Sequence, residues 1–156
     1  MYMRHDTSID HPAHDVRREL LESPERWLPA SVASPLGERR YLVKVGFHAA
    51  AAHIGKQVEL TVGTPVERGQ WLEIPVTWRA TGPGQLFPVL DGKLTVQPLG
   101  PHSSILWIGA TYQPPLGGLG RQLDAAALHN VASATIEEFV EGVAGRLAVL
   151  AASRPA

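Results

Sequence analysis

The chain has 156 residues, of which 44% are hydrophobic and 19% are charged. This length fits one domain, and the apolar content is enough for one core and too high for a disordered chain. Fourteen basic and fifteen acidic residues give a net charge of -1, which argues against a strongly basic nucleic-acid-binding protein. The absence of cysteine excludes disulfides, thiolate nucleophiles and cysteine-based metal sites.

The sequence contains no segment that predicts membrane insertion. No apolar run approaches ~18 residues, and the first residues lack a signal-peptide core. We therefore expect a soluble, cytoplasmic protein without stable membrane insertion. No repeat or low-complexity linker divides the chain, so we predict a single domain over residues 1–156.

The N-terminal part predicts a strand followed by two short helices. Residues 2–9 form the strand in this prediction. A helix then begins near Pro12, with Asp10 as its N-cap, and ends at Ser23. A second and very short helix follows and ends by Pro29.

The middle of the chain predicts antiparallel strands. Apolar and polar residues alternate there, which is typical of strands with one face in water, and Gly- and Pro-containing turns separate them. Pro75 lies inside one of these patterns, which predicts an edge strand or a bulge at that point. The predicted strands cover residues 38–47, 56–63, 71–79, 89–97 and 104–112.

The C-terminal part predicts one long helix. From Leu116 to about Leu150 there is no proline, which allows a helix of roughly thirty residues and about 45 Å. Leu119 and Leu123 point nearly opposite to the later apolar stripe, so the first turns either form a separate short helix or pack elsewhere. The stripe consists of Leu128, Ala132, Ile136, Phe139, Val143, Leu147 and Leu150.

This element order predicts an α+β fold of the helix-grip type. A curved antiparallel sheet of six to seven strands would wrap around the long C-terminal helix, with two short N-terminal helices beside it. Only the long helix can cover the apolar face of such a sheet. A strongly twisted sheet leaves a gap against the helix, and that gap is the natural place for an apolar ligand.

Several segments resemble a known superfamily. They are Ile9 to Val16 with Ser23 to Trp27, Trp71 to Ala80 with Leu86 to Asp91, and Tyr112 to Gly117 with Leu119 to Asp124. In these segments and in its element order, the chain resembles the START-related helix-grip superfamily (SRPBCC; polyketide cyclase/dehydrase and lipid transport-like). The resemblance implies the fold and a hydrophobic-ligand cavity. It implies no single activity, because the superfamily includes lipid carriers, cyclases, hydroxylase subunits and stress proteins.

The inward-facing strand positions predict an apolar cavity without ionisable groups. No carboxylate, His, Lys or Arg falls on this face, which argues against acid–base catalysis, and we assign no catalytic residue. Tyr41, Trp78 and Tyr112 combine an apolar body with a polar tip, so they either orient a ligand or complete the core. The predicted ligand-binding residues are Tyr41, Val43, Leu60, Ile74, Val76, Trp78, Leu94, Ile108, Tyr112, Phe139 and Val143.

The histidines give no strong metal signal in the sequence. His11, His14 and the neighbouring acidic residues lack a fixed third ligand, so we interpret them as a solvated helix start. His48 and His53 flank four alanines at a predicted turn between two strands. They either meet at the mouth of a pocket or are loop histidines without function, and we favour the second interpretation. We therefore predict no metal site and no cofactor.

Three functions remain open at this stage. The leading hypothesis is binding of a hydrophobic small molecule, such as a lipid, polyketide or aromatic metabolite, between the sheet and the C-terminal helix. The alternative is a polyketide cyclase- or dehydratase-like enzyme. The third is a packed interaction domain, because Trp71, Ile105 and Trp107 fall on the nominally wet face. These three residues predict a homodimer or partner surface, unless the chain's own N-terminal helices or loops cover them.

Overall fold

The computed structural model describes residues 1–29, 34–37, 39–49, 52–81, 89–113 and 125–154. These ranges contain eight strands and three helices in an α+β arrangement. The strands are β1 (Tyr2–Ile9), β2 (Ser34–Gly37), β3 (Arg40–Ala49), β4 (Ala52–Val62), β5 (Val66–Arg68), β6 (Trp71–Ala80), β7 (Val89–Gly100) and β8 (Ser103–Gln113). The helices are α1 (Ala13–Leu20), α2 (Pro24–Trp27) and α3 (Ala125–Ser153).

The eight strands of the described residues belong to one antiparallel sheet. Seven of them follow one path in the order β1-β8-β7-β6-β4-β3-β2, and the eighth, β5, pairs with β6 beside this path. The predicted curved antiparallel sheet around a long helix is confirmed, and with the short strand β5 it has eight strands rather than six to seven. The sequence did not reveal β2 and β5, because four and three residues are too few to show an alternating pattern. The strand β5 therefore lies between the predicted strands 56–63 and 71–79, where the sequence predicts only a turn.

The position of Pro75 corrects one expectation. Pro75 lies in the interior strand β6, where it pairs with Lys93 of β7, and no register shift is present there. On the other side of β6, pairing with β4 ends at Val76 and pairing with β5 begins at Glu73. Pro75 therefore lies in the gap between the two partner strands β4 and β5, where the absence of a backbone N–H costs no hydrogen bond between strands.

The two N-terminal helices form where the sequence predicts them, but the cap differs. The N-cap of α1 is Pro12, not Asp10, and no side chain caps the helix. The carbonyl of Pro12 accepts the N–H groups of Asp15 and Val16 at 3.0 and 3.2 Å. Proline suits this place because its own missing N–H leaves no donor unpaired at the helix start.

The helix α3 has 29 residues and lies against the sheet and both short helices. Its stripe is buried at Ala132, Ile136, Phe139, Val143 and Leu147, as predicted. A Cβ on Gly142 would lie 3.3 Å from Cγ of Pro29, so this glycine allows the chain after α2 to approach the helix closely. The expectations for Leu116, Leu119 and Leu123 concern positions outside the described residues.

The sheet curves around α3. Strands near both ends of the sheet order, β1 and β3, contact this one helix, as does β8. The inward side chains of the sheet and the stripe of α3 form one buried apolar cluster. No helix in the described part of the chain is long and apolar enough to cross a membrane.

Candidate functional site

The predicted ligand-binding residues lie together between the sheet and α3. Each of the eleven is at most 4% exposed, and all belong to the same hydrophobic cluster. They come from five strands and from α3, so tertiary structure brings together residues that are far apart in the sequence. Alternation in the strands and the helical period of α3 thus placed their side chains on the correct faces, and their role in binding stays a prediction.

Trp78 is the central contact between sheet and helix. It lies in the middle of the sheet, where it pairs with Leu60 of β4 and Leu90 of β7. Its ring meets that of Phe139 on α3 edge to face, with 5.1 Å between centroids and 71° between planes. Its indole Nε1 is buried and has no hydrogen-bond partner among the described residues. A buried donor without a partner costs about 1–3 kcal/mol, so this N–H is suited to bind an acceptor.

The hydroxyl group of Tyr112 forms its hydrogen bond within the protein. Its hydroxyl donates to Sδ of Met1 at 2.9 Å, and Nδ1 of His129 lies 2.9 Å from the same sulfur. Burial raises the pKa of Tyr112 above its ordinary value of 10.0. The hydroxyl therefore stays protonated at neutral pH and acts as a donor rather than as a base.

A buried ion pair joins α1 to the end of α3, and sequence reasoning missed it. The Glu19 carboxylate is fully buried, the guanidinium of Arg154 contacts it, and Arg26 lies 4.0 Å from it. A hydrogen bond to Glu22 raises the pKa of Arg154, so this residue stays charged. Glu19 lies three residues after the buried Val16, on the same face of α1. This spacing was the one feature of the sequence that could have indicated a buried glutamate.

A second cluster lies where the β3–β4 hairpin meets α3. His48 and His53 pair directly across the two strands, next to the turn where the sequence placed them. Their side chains meet, with ring centroids 4.7 Å apart, and both contact the carboxylate of Glu138 on α3. Nothing in the sequence pointed to Glu138, which is 85 residues from His53.

The comparisons with known proteins concern the fold. No family model matches the sequence, and the search of curated proteins found no match. The structure is similar to that of a conserved protein from Geobacillus kaustophilus, with a TM-score of 0.64 and 16% identity over 96% of each chain. It is also similar to a protein from Thermus thermophilus, with a TM-score of 0.56 and 16% identity over 99% of this chain and 100% of that one.

A third solved structure carries the name of a superfamily. A START superfamily protein from Mycobacterium smegmatis matches with a TM-score of 0.60 and 15% identity, over 96% of this chain and 98% of that chain. The chain has the START-related helix-grip fold. This confirms the fold that the element order predicted.

The outer face of the helix-grip sheet carries the large apolar side chains that the sequence placed there. Trp71 is 43% exposed, and Ile105 and Trp107 are half-buried. The guanidinium of Arg4 lies 4.2 Å above the Trp107 ring, whose Nε1 donates to Oε1 of Gln97 at 2.9 Å. Arg4 of β1 and Gln97 of β7 therefore cover part of this face. Neither residue comes from the N-terminal helices.

Proposed function

We propose that this helix-grip domain binds a hydrophobic small molecule, of the lipid, polyketide or aromatic-metabolite class, between its sheet and α3. The observation that carries the proposal is the buried Nε1 of Trp78, which has no partner among the described residues. It lies among apolar side chains from both sides of the cluster. A ligand carbonyl or hydroxyl that accepts from this N–H would remove the cost of the unpaired donor.

The surrounding residues supply affinity without a charged anchor. Each ligand methylene that leaves water contributes about 0.8 kcal/mol. A ligand with about ten carbons therefore reaches useful affinity after the cost of association. Seven of the eleven predicted wall residues, such as Ile74 and Leu94, are aliphatic, which suits such a ligand.

The same residues favour binding over an enzyme of the cyclase or dehydratase type. None of the eleven predicted wall residues is Asp, Glu, His, Lys or Arg. Acid–base catalysis needs a titratable group in the site with a pKa near the working pH. The Tyr112 hydroxyl does not meet this need, because burial moves its pKa further from neutrality.

The proposal is tested with Trp78→Phe, which keeps an aromatic ring and removes the indole N–H. Small molecules that co-purify with the untagged protein are first identified by native mass spectrometry. For a ligand with a carbonyl or hydroxyl, we expect the variant to bind about 3- to 10-fold more weakly, the effect of one lost hydrogen bond. Binding is measured by displacement of the dye 1-anilinonaphthalene-8-sulfonate.

Trp107→Phe is the matched control. It removes an indole N–H from the outer face, where Gln97 already accepts it. We expect unchanged ligand and dye binding for this variant. Equal effects of the two substitutions, or a native protein that neither carries a ligand nor binds the dye, would contradict an interior binding site.

We also propose that the outer face forms a homodimer. Trp71 supplies exposed apolar area there, and Glu73, Asp91 and Lys93 line a shallow cavity beside Trp107. Glu73 already accepts a hydrogen bond from Arg68, so a two-fold axis through this face would bring Lys93 of one copy towards Asp91 of the other. The face is thus complementary to itself, as a symmetric interface requires.

A further inference from the structure

We infer that His48, His53 and Glu138 form a binding site for a divalent transition-metal ion of the zinc class. His48 lies at the end of β3, His53 near the start of β4, and Glu138 in the middle of α3. The ligand atoms of the three residues all lie within 4.8 Å of one another. Each side chain is at least partly exposed, so an ion can enter from solvent.

The distances fit a tetrahedral zinc site. Nδ1 of His48 lies 3.2 Å from Oε1 of Glu138, and Nε2 of His53 lies 3.0 Å from Oε2 and 3.2 Å from Oε1. Zinc bonds of about 2.0–2.1 Å at tetrahedral angles place neighbouring ligand atoms about 3.3 Å apart. The nitrogen–oxygen pairs already have nearly this spacing, and no two ligand atoms are more than 4.8 Å apart, so rotation of the exposed side chains would bring all three ligands to one ion.

The donor set selects the kind of metal. Two imidazole nitrogens and one carboxylate suit Zn²⁺ and its neighbours in the transition series. Mg²⁺ and Ca²⁺ prefer sites built from oxygen ligands and should bind weakly here. Three protein ligands leave a fourth position for water or for an exogenous ligand, as in zinc sites that exchange ligands.

The hairpin is built in a way that makes room for the site. Gly46 and Gly55 pair across β3 and β4, two positions before the histidine pair in the ladder. A Cβ on Gly46 would lie 3.0 Å from Cε1 of His53 and would clash with the carbonyl oxygen of Ile54. The glycine thus leaves the space into which the His53 ring turns, towards Glu138.

A contact of Glu141, about one turn further along the same helix, provides a natural control. Glu141 of α3 contacts Nε2 of His5 at 3.2 Å and accepts a hydrogen bond from the hydroxyl of Thr7. This contact has one imidazole and one carboxylate, which is too few for a stable zinc site. If histidine–glutamate contacts only hold strands to α3, the two places should behave alike towards metal.

The experiment measures zinc binding by untagged, chelator-treated protein. Isothermal titration should show one Zn²⁺ per chain with a Kd of about 1 µM or lower, and Mg²⁺ should give no comparable signal. Co²⁺ should bind with the visible absorption of tetrahedral coordination. Glu138→Gln and His53→Gln should each weaken binding by at least about tenfold, whereas Glu141→Gln and His5→Gln should leave it unchanged.

Zinc should also stabilise the fold, because it links the β3–β4 hairpin to α3. At a hundredfold excess over Kd, we expect Tm to rise by about 5–10 °C in the wild type and in the control variants. We expect Glu138→Gln to fold, because glutamine has nearly the same shape as glutamate. Circular dichroism checks that it does. Absence of stoichiometric zinc binding, or the same affinity in Glu138→Gln and Glu141→Gln, would overturn the site.

Discussion

The buried hydroxyl of Tyr112 links the stability of the domain to alkaline pH. Its pKa in the folded state is raised above 10.0 by burial, so above pH 10.0 the folded state keeps a proton that the unfolded chain loses. The stability that the protonated Tyr112 hydroxyl contributes is therefore fully present below pH 10.0 and is lost as the pH rises through the pKa of the folded state. We expect Tyr112→Phe to lose less stability than the wild type between about pH 8 and about pH 11.

Urea unfolding at several pH values measures this effect. Tyr2→Phe serves as the control, because Tyr2 is 62% exposed, and its urea midpoint should follow that of the wild type. The same alkaline decline in Tyr112→Phe and in the wild type would contradict a buried, protonated hydroxyl.

For single residues, the sequence predicted which side chains face inwards, but it did not predict the hydrogen-bond and ion-pair partners of those side chains. Alternation places Val43, Leu60 and Trp78 on one face, because the side-chain period of a strand is two. That the Trp78 indole N–H has no acceptor among the described residues depends on neighbours from other elements, which alternation does not report. Glu19 was overlooked because its burial depends on Arg154, which lies 135 positions later in the chain.

The ion pair between Glu19 and Arg154 determines how α1 is held against the end of α3. Because Glu19 is fully buried, removal of Arg154 leaves a carboxylate without its main partner. We expect Arg154→Met to lower the free energy of unfolding, since it leaves the buried Glu19 carboxylate with only Arg26, at 4.0 Å, as a partner. Glu19→Met should change it by no more than about 1 kcal/mol, because Arg154 keeps its contact with Glu22 and apolar replacements of buried charges are often neutral.

Urea denaturation of both variants measures this asymmetry. Arg18→Met is the control on the same helix: its exposed pair with Asp15 should contribute no more than about 1 kcal/mol. If Glu19→Met were as destabilising as Arg154→Met, the loss would reflect the pair itself rather than the charge left behind.

Elements were predictable where they are long and patterned. The five alternating segments and α3 each repeat an apolar period several times, so tertiary contacts agree with the local signal. The strands β2 and β5 lack such a repeat and exist because β3 and β6 offer them edges. The interior position of Pro75 was not predictable either, since it depends on where β4 stops pairing.

For the whole molecule, the patterns of one apolar sheet face and one long helix were enough to predict the helix-grip fold. The approach of Glu138 to the two histidines could not be predicted, because it depends on how far the sheet curls towards α3. Curvature is a property of the complete sheet, and local patterns carry little information about it. The outer face is a similar case: the sequence predicted its apolar residues, but their partial cover by Arg4 comes from the strand order.

Self-association through this outer face is a prediction for the whole molecule. Trp71→Lys places a charge in the exposed apolar area of the proposed interface, where burial of an unpaired charge opposes association. We expect the wild type to sediment as a dimer with a Kd of about 1–10 µM, and the variant to be at least about tenfold weaker. Val149→Lys is the control, because Val149 is also apolar, 55% exposed and located on α3, away from this face. A wild type that stays monomeric at about 500 µM, far above this Kd, would contradict the dimer.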